Sequence, residues 1–355
     1  MADQKTVLVT GGNGYIGAHI IVRALSKGYR VRTTVRSEKR IESVLASLHR
    51  GGISEEMARS VVFVEADLLT DRGWDDACQG CDFVLHVASP FPMTAPETED
   101  EIIKPAREGT LRVLCAAKKA GTVQRVVVTS SFAAVGYGHG KRRNSDNPFT
   151  ENDWSAIYSS KGSVGAYEKS KTLAERAAWQ WMKECGGDME LAVVNPVDVY
   201  GPTLSDSINA SLELPRRMLS GELPGLPDLH LGIVDVRDVA DLHILVMESA
   251  SAAGERYLAI SNELSISIKD IAICLRESLP PNEAKKISTR VLPNFFLRQA
   301  SYFDKSIALI LPDLGIIRPA TNIKARQELG WAPRSARDAI IATAESLRKN
   351  GLVGA

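Results

Sequence analysis

Val9-Thr10-Gly11-Gly12-Asn13-Gly14-Tyr15-Ile16-Gly17 is the stretch on which the reading of the fold turns. Ahead of it, Thr6–Thr10 reads as a short buried strand; behind it, Tyr15–Lys27 carries a helical pattern. Gly12, Gly14 and Gly17 satisfy G-x-G-x-x-G, and Gly11, Gly14 and Gly17 satisfy G-x-x-G-x-x-G. Glycine serves a tight turn, the close approach of a pyrophosphate, and a close contact between helix and strand. A helix start adds unpaired N–H groups and the positive end of a dipole. A glycine-rich string alone is weak evidence, because plain strand–helix turns also contain one. Placed between a strand and a helix, it predicts a dinucleotide-binding loop formed by Gly11, Gly12, Gly14, Tyr15, Ile16 and Gly17.

Working outward, apolar runs alternate with helical stretches. Strands are predicted at Thr6–Thr10, Arg30–Val35, Val61–Glu65, Phe83–Val87, Arg125–Thr129 and Leu191–Val194, and most are rich in Val. Such runs suit strands buried on both faces. Helices are predicted at Tyr15–Lys27, Glu38–Leu48, Ile102–Ala120 and Val164–Glu184, with Gly28 and Gly121 at left-handed cap positions. After Asn195 the texture changes and Pro and Gly become frequent. A helix is expected to open at Val234–Ala240 and reach Glu248, followed by a strand at Arg256–Ile260. Two tail helices, Ile268–Leu275 and Ala336–Lys349, follow, the second N-capped by Ser335. The alternation predicts an α/β fold: a Rossmann-type doubly wound parallel sheet with a smaller, partly interleaved C-terminal substrate lobe. Residues 1–198 are expected to form the cofactor domain, with 231–262 returning to it. Residues 199–230 and 263–355 are expected to form the lobe.

Strand two ends Thr33-Thr34-Val35-Arg36, and no acid appears before Glu38. An Asp or Glu at that end would bond a ribose 2′-hydroxyl, whereas a guanidinium suits a 2′-phosphate. Arg36 therefore predicts NADP(H), the alternative being a solvated strand residue like Arg32. Asp67, after strand three and beside Leu68, is a candidate for the adenine amino group or for a helix cap. Tyr167 and Lys171 stand four apart on one helical face. An ammonium beside a phenol, together with an oxidised nicotinamide ring, brings the phenol nearer the working pH. Strand five ends Thr129-Ser130-Ser131, where a serine hydroxyl is placed to bond a substrate carbonyl oxygen. Each of these motifs is common by chance; their combination is specific.

The chain resembles the extended short-chain dehydrogenase/reductases, and among them the dihydroflavonol-reductase-like aldehyde and ketone reductases. The likeness runs nearly end to end. It includes His86-Val87-Ala88-Ser89-Pro90, Pro105–Thr110, Tyr167–Glu175, Asn195-Pro196, Val236–Ala240 and Leu329–Pro333. The resemblance implies Ser131 as the catalytic serine, with Ser130 as the fallback. It also implies Ala88, Pro196 and Val197 against the cofactor. Carbonyl reduction is the implied activity, with the proton from Tyr167 and the oxygen held by Ser131. Phe91, Pro92, Leu204, Ile208, Leu212 and Met218 are candidates for an apolar substrate wall, those near Leu212 equally for helix core. The polar loop Gly136–Asn147 departs from the plant flavonoid reductases. Its Lys141, Arg142 and Arg143 are either solvated or placed to attract an anionic substrate.

Hydrophobic residues make up 44% of the 355 and charged residues 24%, and 43 basic residues balance 43 acidic ones. That balance gives no reason to expect nucleic acid or an acidic membrane surface. Neither a signal peptide nor a spanning segment is expected, and cytoplasmic residence is the default. Five scattered cysteines suit a reducing compartment, and Cys78 and Cys81 are expected to be structural. No metal spacing is seen. The chain is expected to be a monomer or homodimer, with Ala174, Ala177, Ala178 and Trp179 in a helix-pair interface or an ordinary core contact. The competing readings are a nucleotide-sugar epimerase or dehydratase, a hydroxysteroid dehydrogenase, and a non-catalytic NADP(H)-sensing protein.

Overall fold

A computed structural model describes residues 4–90, 97–139, 143–159, 164–302, 307 and 310–353. Its principal strands are β1 (Thr6–Val9), β2 (Arg30–Val35), β3 (Val62–Glu65), β4 (Phe83–His86), β5 (Arg125–Thr129) and β6 (Glu190–Pro196). Shorter ones follow: β7 (Asp198–Tyr200), β8 (His230–Leu231), β9 (Ile233–Asp235) and β10 (Arg256–Ala259). The main sheet runs β3-β2-β1-β4-β5-β6-β10 with every pair parallel. From β3 at one edge the chain returns to β4 beside β1. The strand order therefore reverses between β1 and β4, and the carboxyl ends of those strands open a crevice.

The valine-rich runs work as two-sided strands. Val7 and Val9 of β1 enter one apolar cluster, while Leu8 between them enters the other. Val127 of β5 and its neighbours Val126 and Val128 divide in the same way. The first cluster is closed by α1 (Tyr15–Ser26), α2 (Ile41–Arg50) and α8 (Val236–Glu248). The second is closed by α4 (Trp74–Cys78), α5 (Asp100–Ala120) and α6 (Ala166–Cys185), with the short α3 (Glu55–Arg59) lying between α2 and β3. Gly28 and Gly121 adopt φ of 84° and 71° after their helices, as their positions predict. This is the expected doubly wound architecture.

A third cluster is built from α7 (Ala210–Leu219), α9 (Ile268–Ser278) and the C-terminal helix Ala336–Lys349. Ser335 caps that last helix, accepting from Asp338 N at 3.1 Å. Ala178 and Trp179 belong to the second cluster and Ala174 is buried, so this face of α6 serves the chain's own core. Cys78 and Cys81 also lie in that cluster, where burial pushes both thiols up, Cys78 to about 12. Among the described residues, no helix is long and apolar enough to cross a membrane.

Candidate active site

The turn after β1 is held from its two neighbouring strands, β4 and β2. Thr10 N donates to Leu85 O at 3.0 Å, and Gly11 N donates to Thr34 Oγ1 at 3.0 Å. Thr10 Oγ1 accepts from Val87 N and Ala88 N, both at 3.0 Å, and lies 2.9 Å from Nδ1 of buried His86. Gly11 adopts φ of 70°, and a Cβ on it would stand 3.1 Å from Ala88. At Gly17 a Cβ would sit 2.4 Å from Gly11 O, so the closely packed helix needs glycine there. Gly12 is different. A Cβ on it would meet Thr33 Oγ1 at 2.2 Å, so this glycine serves packing on β2, and it does not line the cavity beyond the loop. Gly14 precedes α1 with no side-chain cap, and the first turn holds no acid. Its N–H groups are thus left for an anion.

A cavity of about 840 Å³ opens at this loop. Gly11, Gly14, Tyr15, Ile16, Gly17, Arg36, Asp67, Leu68, Ala88, Ser131, Tyr167, Lys171, Pro196 and Val197 all line it, so the sequence motifs converge on one space. Arg36 is exposed at the end of β2, and among the described residues no acid pairs with it. Arg32 is not a solvated counterpart: its Nη1 donates to Asp76 O, Ala77 O and Gln79 O at the end of α4. Asp67 accepts from Leu69 N at 2.9 Å within a turn. Tyr15 faces the cavity, but its hydroxyl donates to Gly201 O at 2.9 Å, and His19 Nε2 lies 2.9 Å from Pro202 O.

The two adjacent serines part company. Ser130 donates its hydroxyl to buried Glu175 Oε2 at 2.5 Å. Ser131 accepts from Ala133 N at 3.1 Å, lies 3.5 Å from Pro196 O, and is hydrogen-bonded to Tyr167. Lys171 Nζ stands 5.9 Å from the centre of the Tyr167 ring and donates to Ser89 Oγ at 3.0 Å. Burial lowers the ammonium to about 8, opposed by the Glu175 charge. Burial also raises the Tyr167 phenol above its usual value, against the Ser131 hydrogen bond and with help from Glu168 and Asp198.

One turn beyond Lys171, Glu175 fastens α6 to the strand ends. Its carboxylate accepts from Ser130, from Asn195 Nδ2 at 2.8 Å, from Arg256 Nε at 2.5 Å and from Trp179 Nε1 at 3.3 Å. Arg256 also donates to Glu151 O and Asp153 O, and it stacks on Trp154. Asn195 Nδ2 reaches Ser131 O at 3.2 Å.

The apolar-wall candidates fare unevenly. Leu204 is buried beside the Gly51 turn, its carbonyl accepting from Arg50, and Ile208 packs against the third cluster; neither lines the cavity. Leu212 and Met218 are core of that cluster. Phe91, Pro92, Lys141 and Arg142 lie outside the described residues. Arg143 is neither solvated nor at the cavity: it pairs with Asp153 at 2.5 Å and covers the Phe149 ring at 4.2 Å. The wall instead includes Phe132, Tyr137, Glu168, Asp198, Tyr200, Asn209, Leu214 and Leu231. Their neighbours in sequence offered one hint, since Asp198 and Tyr200 directly follow Asn195-Pro196-Val197.

The NAD-dependent epimerase/dehydratase family model matches residues 7–259. This chain belongs to that family. Cinnamoyl-CoA reductase 1 of Arabidopsis thaliana is 38% identical over 334 residues, covering 92% of this chain and 90% of the relative. Dihydroflavonol 4-reductase of Zea mays is 33% identical over 281 residues, 79% of this chain and 76% of that one. Among solved structures, yeast methylglyoxal/isovaleraldehyde reductase Gre2 complexed with NADPH superposes with a TM-score of 0.80 at 27% identity. It covers 98% of this chain and 100% of its own. These relatives bear out the resemblance to the dihydroflavonol-reductase-like branch of the extended short-chain dehydrogenase/reductases.

Proposed function

We propose that this protein is an NADPH-dependent carbonyl reductase that converts a hydrophobic or aromatic aldehyde or ketone to the alcohol. The observation that carries the reading is one cavity lined by the glycine loop and Arg36 on one side and by Ser131, Tyr167 and Lys171 on the other. The residues suit the dinucleotide. An uncapped helix start receives the pyrophosphate, and the exposed Arg36 guanidinium at the end of β2, which no acid pairs with among the described residues, meets the 2′-phosphate. Relatives named as reductases, one of them solved with NADPH, support the same cofactor. When bound, NADPH supplies the hydride. Asp67, Leu68, Ala88, Pro196 and Val197 line its site.

Ser131 holds the carbonyl oxygen and stabilises charge as it forms there. Tyr167 donates its proton to that oxygen. A phenol raised by burial keeps its proton at neutral pH, which is the state the reducing direction uses. Lys171 supplies positive charge behind Tyr167 and a donor for the cofactor ribose. Residues 1–198 with 231–262 then act as the cofactor part. The lobe contributes Asn209, Ala210, Ser211 and Leu214 to the substrate end.

The test is the loss of reduced-nicotinamide absorbance with NADPH and NADH in parallel, against aromatic and aliphatic aldehydes, ketones and diketones. Turnover favouring NADPH is expected. Tyr167→Phe should keep NADPH binding and lose turnover by roughly 10²-fold or more. A protein purified with tightly held NAD, and idle on every carbonyl, would instead point to an epimerase.

A further inference from the structure

Resting on the reductase reading above, we propose that Asp198 sets the substrate class of this pocket. Its carboxylate receives a hydroxyl or cationic group carried by the carbonyl substrate and turns away substrates that bear an anion. Among the described residues, four carboxylates line the cavity: Asp67, Glu101, Glu168 and Asp198. Three are engaged by other residues of the fold. Asp67 accepts from Leu69 N, and Glu101 accepts from Glu97 N and Thr98 N at 3.2 Å. Glu168 accepts backbone hydrogen bonds at the start of α6, including that of Gly165, which closes the first turn as a capping box does. Among the described residues, Asp198 accepts only from its own backbone amide.

No cation answers Asp198 among the described residues. Arg36 stands at the end of β2, and Lys171 is bonded to Ser89. Arg318, whose guanidinium covers the Tyr137 ring at 4.2 Å, is paired with Asp313 at 2.5 Å. Arg237 is paired with buried Asp235 at 2.6 Å.

Asp198 nevertheless stands close to the reacting groups. Its charge is among the influences that raise the phenols of Tyr167 and Tyr137. Its side chain is open to the cavity, while the surrounding protein lowers the local dielectric and pushes the carboxyl up to about 6. It is therefore charged at neutral pH. Tyr200, two residues on in β7 and on the same cavity wall, is buried, and its hydroxyl has no hydrogen-bond partner among the described residues. Among the described residues this is a carboxylate without a counter-ion beside an unsatisfied hydroxyl, in a wall that sets Phe132, Val197, Val199, Leu214 and Leu231 alongside Tyr137, Asn209 and the already engaged Glu168, and it suits a small carbonyl compound with one polar donor. A carboxylate- or phosphate-bearing substrate would meet like charge in a low-dielectric space.

The experiment compares three para-substituted benzaldehydes with NADPH: hydroxymethyl, trimethylammonio and carboxy. In the native protein kcat/KM should fall in the order cation or hydroxymethyl, then carboxy, with a gap of about tenfold or more. Asp198→Asn should close that gap to within about threefold by raising the carboxy member and lowering the cationic one. Thermal midpoint and NADPH-induced fluorescence change report whether the variant is folded, and Asp198→Ser replaces it if it is not. An unchanged cation-to-anion ratio in the variant overturns the inference while leaving the reductase reading intact. So does native protein that takes the carboxy compound as readily as the others. Native protein that reduces none of the three, nor benzaldehyde itself, fails the reductase reading and takes this inference with it.

Discussion

Arg256→Met tests the buried anchor beneath α6. The Arg256 side chain is 9% exposed and that of Glu175 is 0% exposed, so solvent screening does not soften the pair. Removing the guanidinium leaves Glu175 charged and buried with only neutral donors, which costs about 3–5 kcal/mol. The carbonyls of Glu151 and Asp153 also lose their donor, at about 1 kcal/mol each. A total of about 5–7 kcal/mol follows. At about 2 °C per kcal/mol for a chain of this size, the thermal midpoint should drop by roughly 10–14 °C. Urea titration followed by far-ultraviolet circular dichroism is the appropriate assay, because Trp154 stacks on Arg256 at 3.9 Å and its fluorescence would report locally. The paired variant Arg256→Met/Glu175→Leu removes the stranded charge and should be more stable than Arg256→Met alone. A loss below about 1 kcal/mol in the single variant, or a double variant worse than the single, would refute the argument that an uncompensated carboxylate dominates.

Two further outcomes are expected. Arg36→Ala should weaken NADPH by about tenfold to a hundredfold, the worth of one charge-assisted contact at an exposed site, and leave NADH nearly unchanged in a fluorescence titration; equal losses for both would sink the 2′-phosphate assignment. The pH profile of kcat/KM for reduction should decline as pH rises through about 8, because burial lowers Lys171 and its ammonium is lost there. That limb should be absent in Lys171→Met, and a profile flat to pH 10 would contradict it.

Much of this was legible in the sequence, for identifiable reasons. The sheet announces itself because strands covered on both faces must be apolar at every position, as Val126-Val127-Val128 are. The glycine loop is legible because its constraints are backbone ones, such as the 2.4 Å from a Gly17 Cβ to Gly11 O. The choice of Ser131 over Ser130 rested on the family resemblance and could not be read from the residues themselves. Neighbouring residues at a strand end point to different sides, and only the buried Glu175 shows which hydroxyl is already engaged. Arg32 and Arg36 look alike in sequence, yet the carbonyl ends of α4 claim one of them. Leu204 and Ile208 misled because apolar character shows that a residue is covered without showing by what. Leu204 is covered by the turn at Gly51, far away in the chain. The lobe was the least readable part, since its core gathers α7, α9 and the C-terminal helix from separate stretches, and β7 has three residues.

The bonds from Tyr15 and His19 to the carbonyls of Gly201 and Pro202 carry a consequence for the order of events in a catalytic cycle. A single helix offers its tip to one ligand and steadies, along its flank, the segment that walls in the other. Any tightening of that segment by the first arrival is returned in equal measure by the second, because thermodynamic linkage is symmetric. An inhibitor lodged against β7 would then tighten the hold on the dinucleotide without touching it, and the two affinities would rise by the same factor.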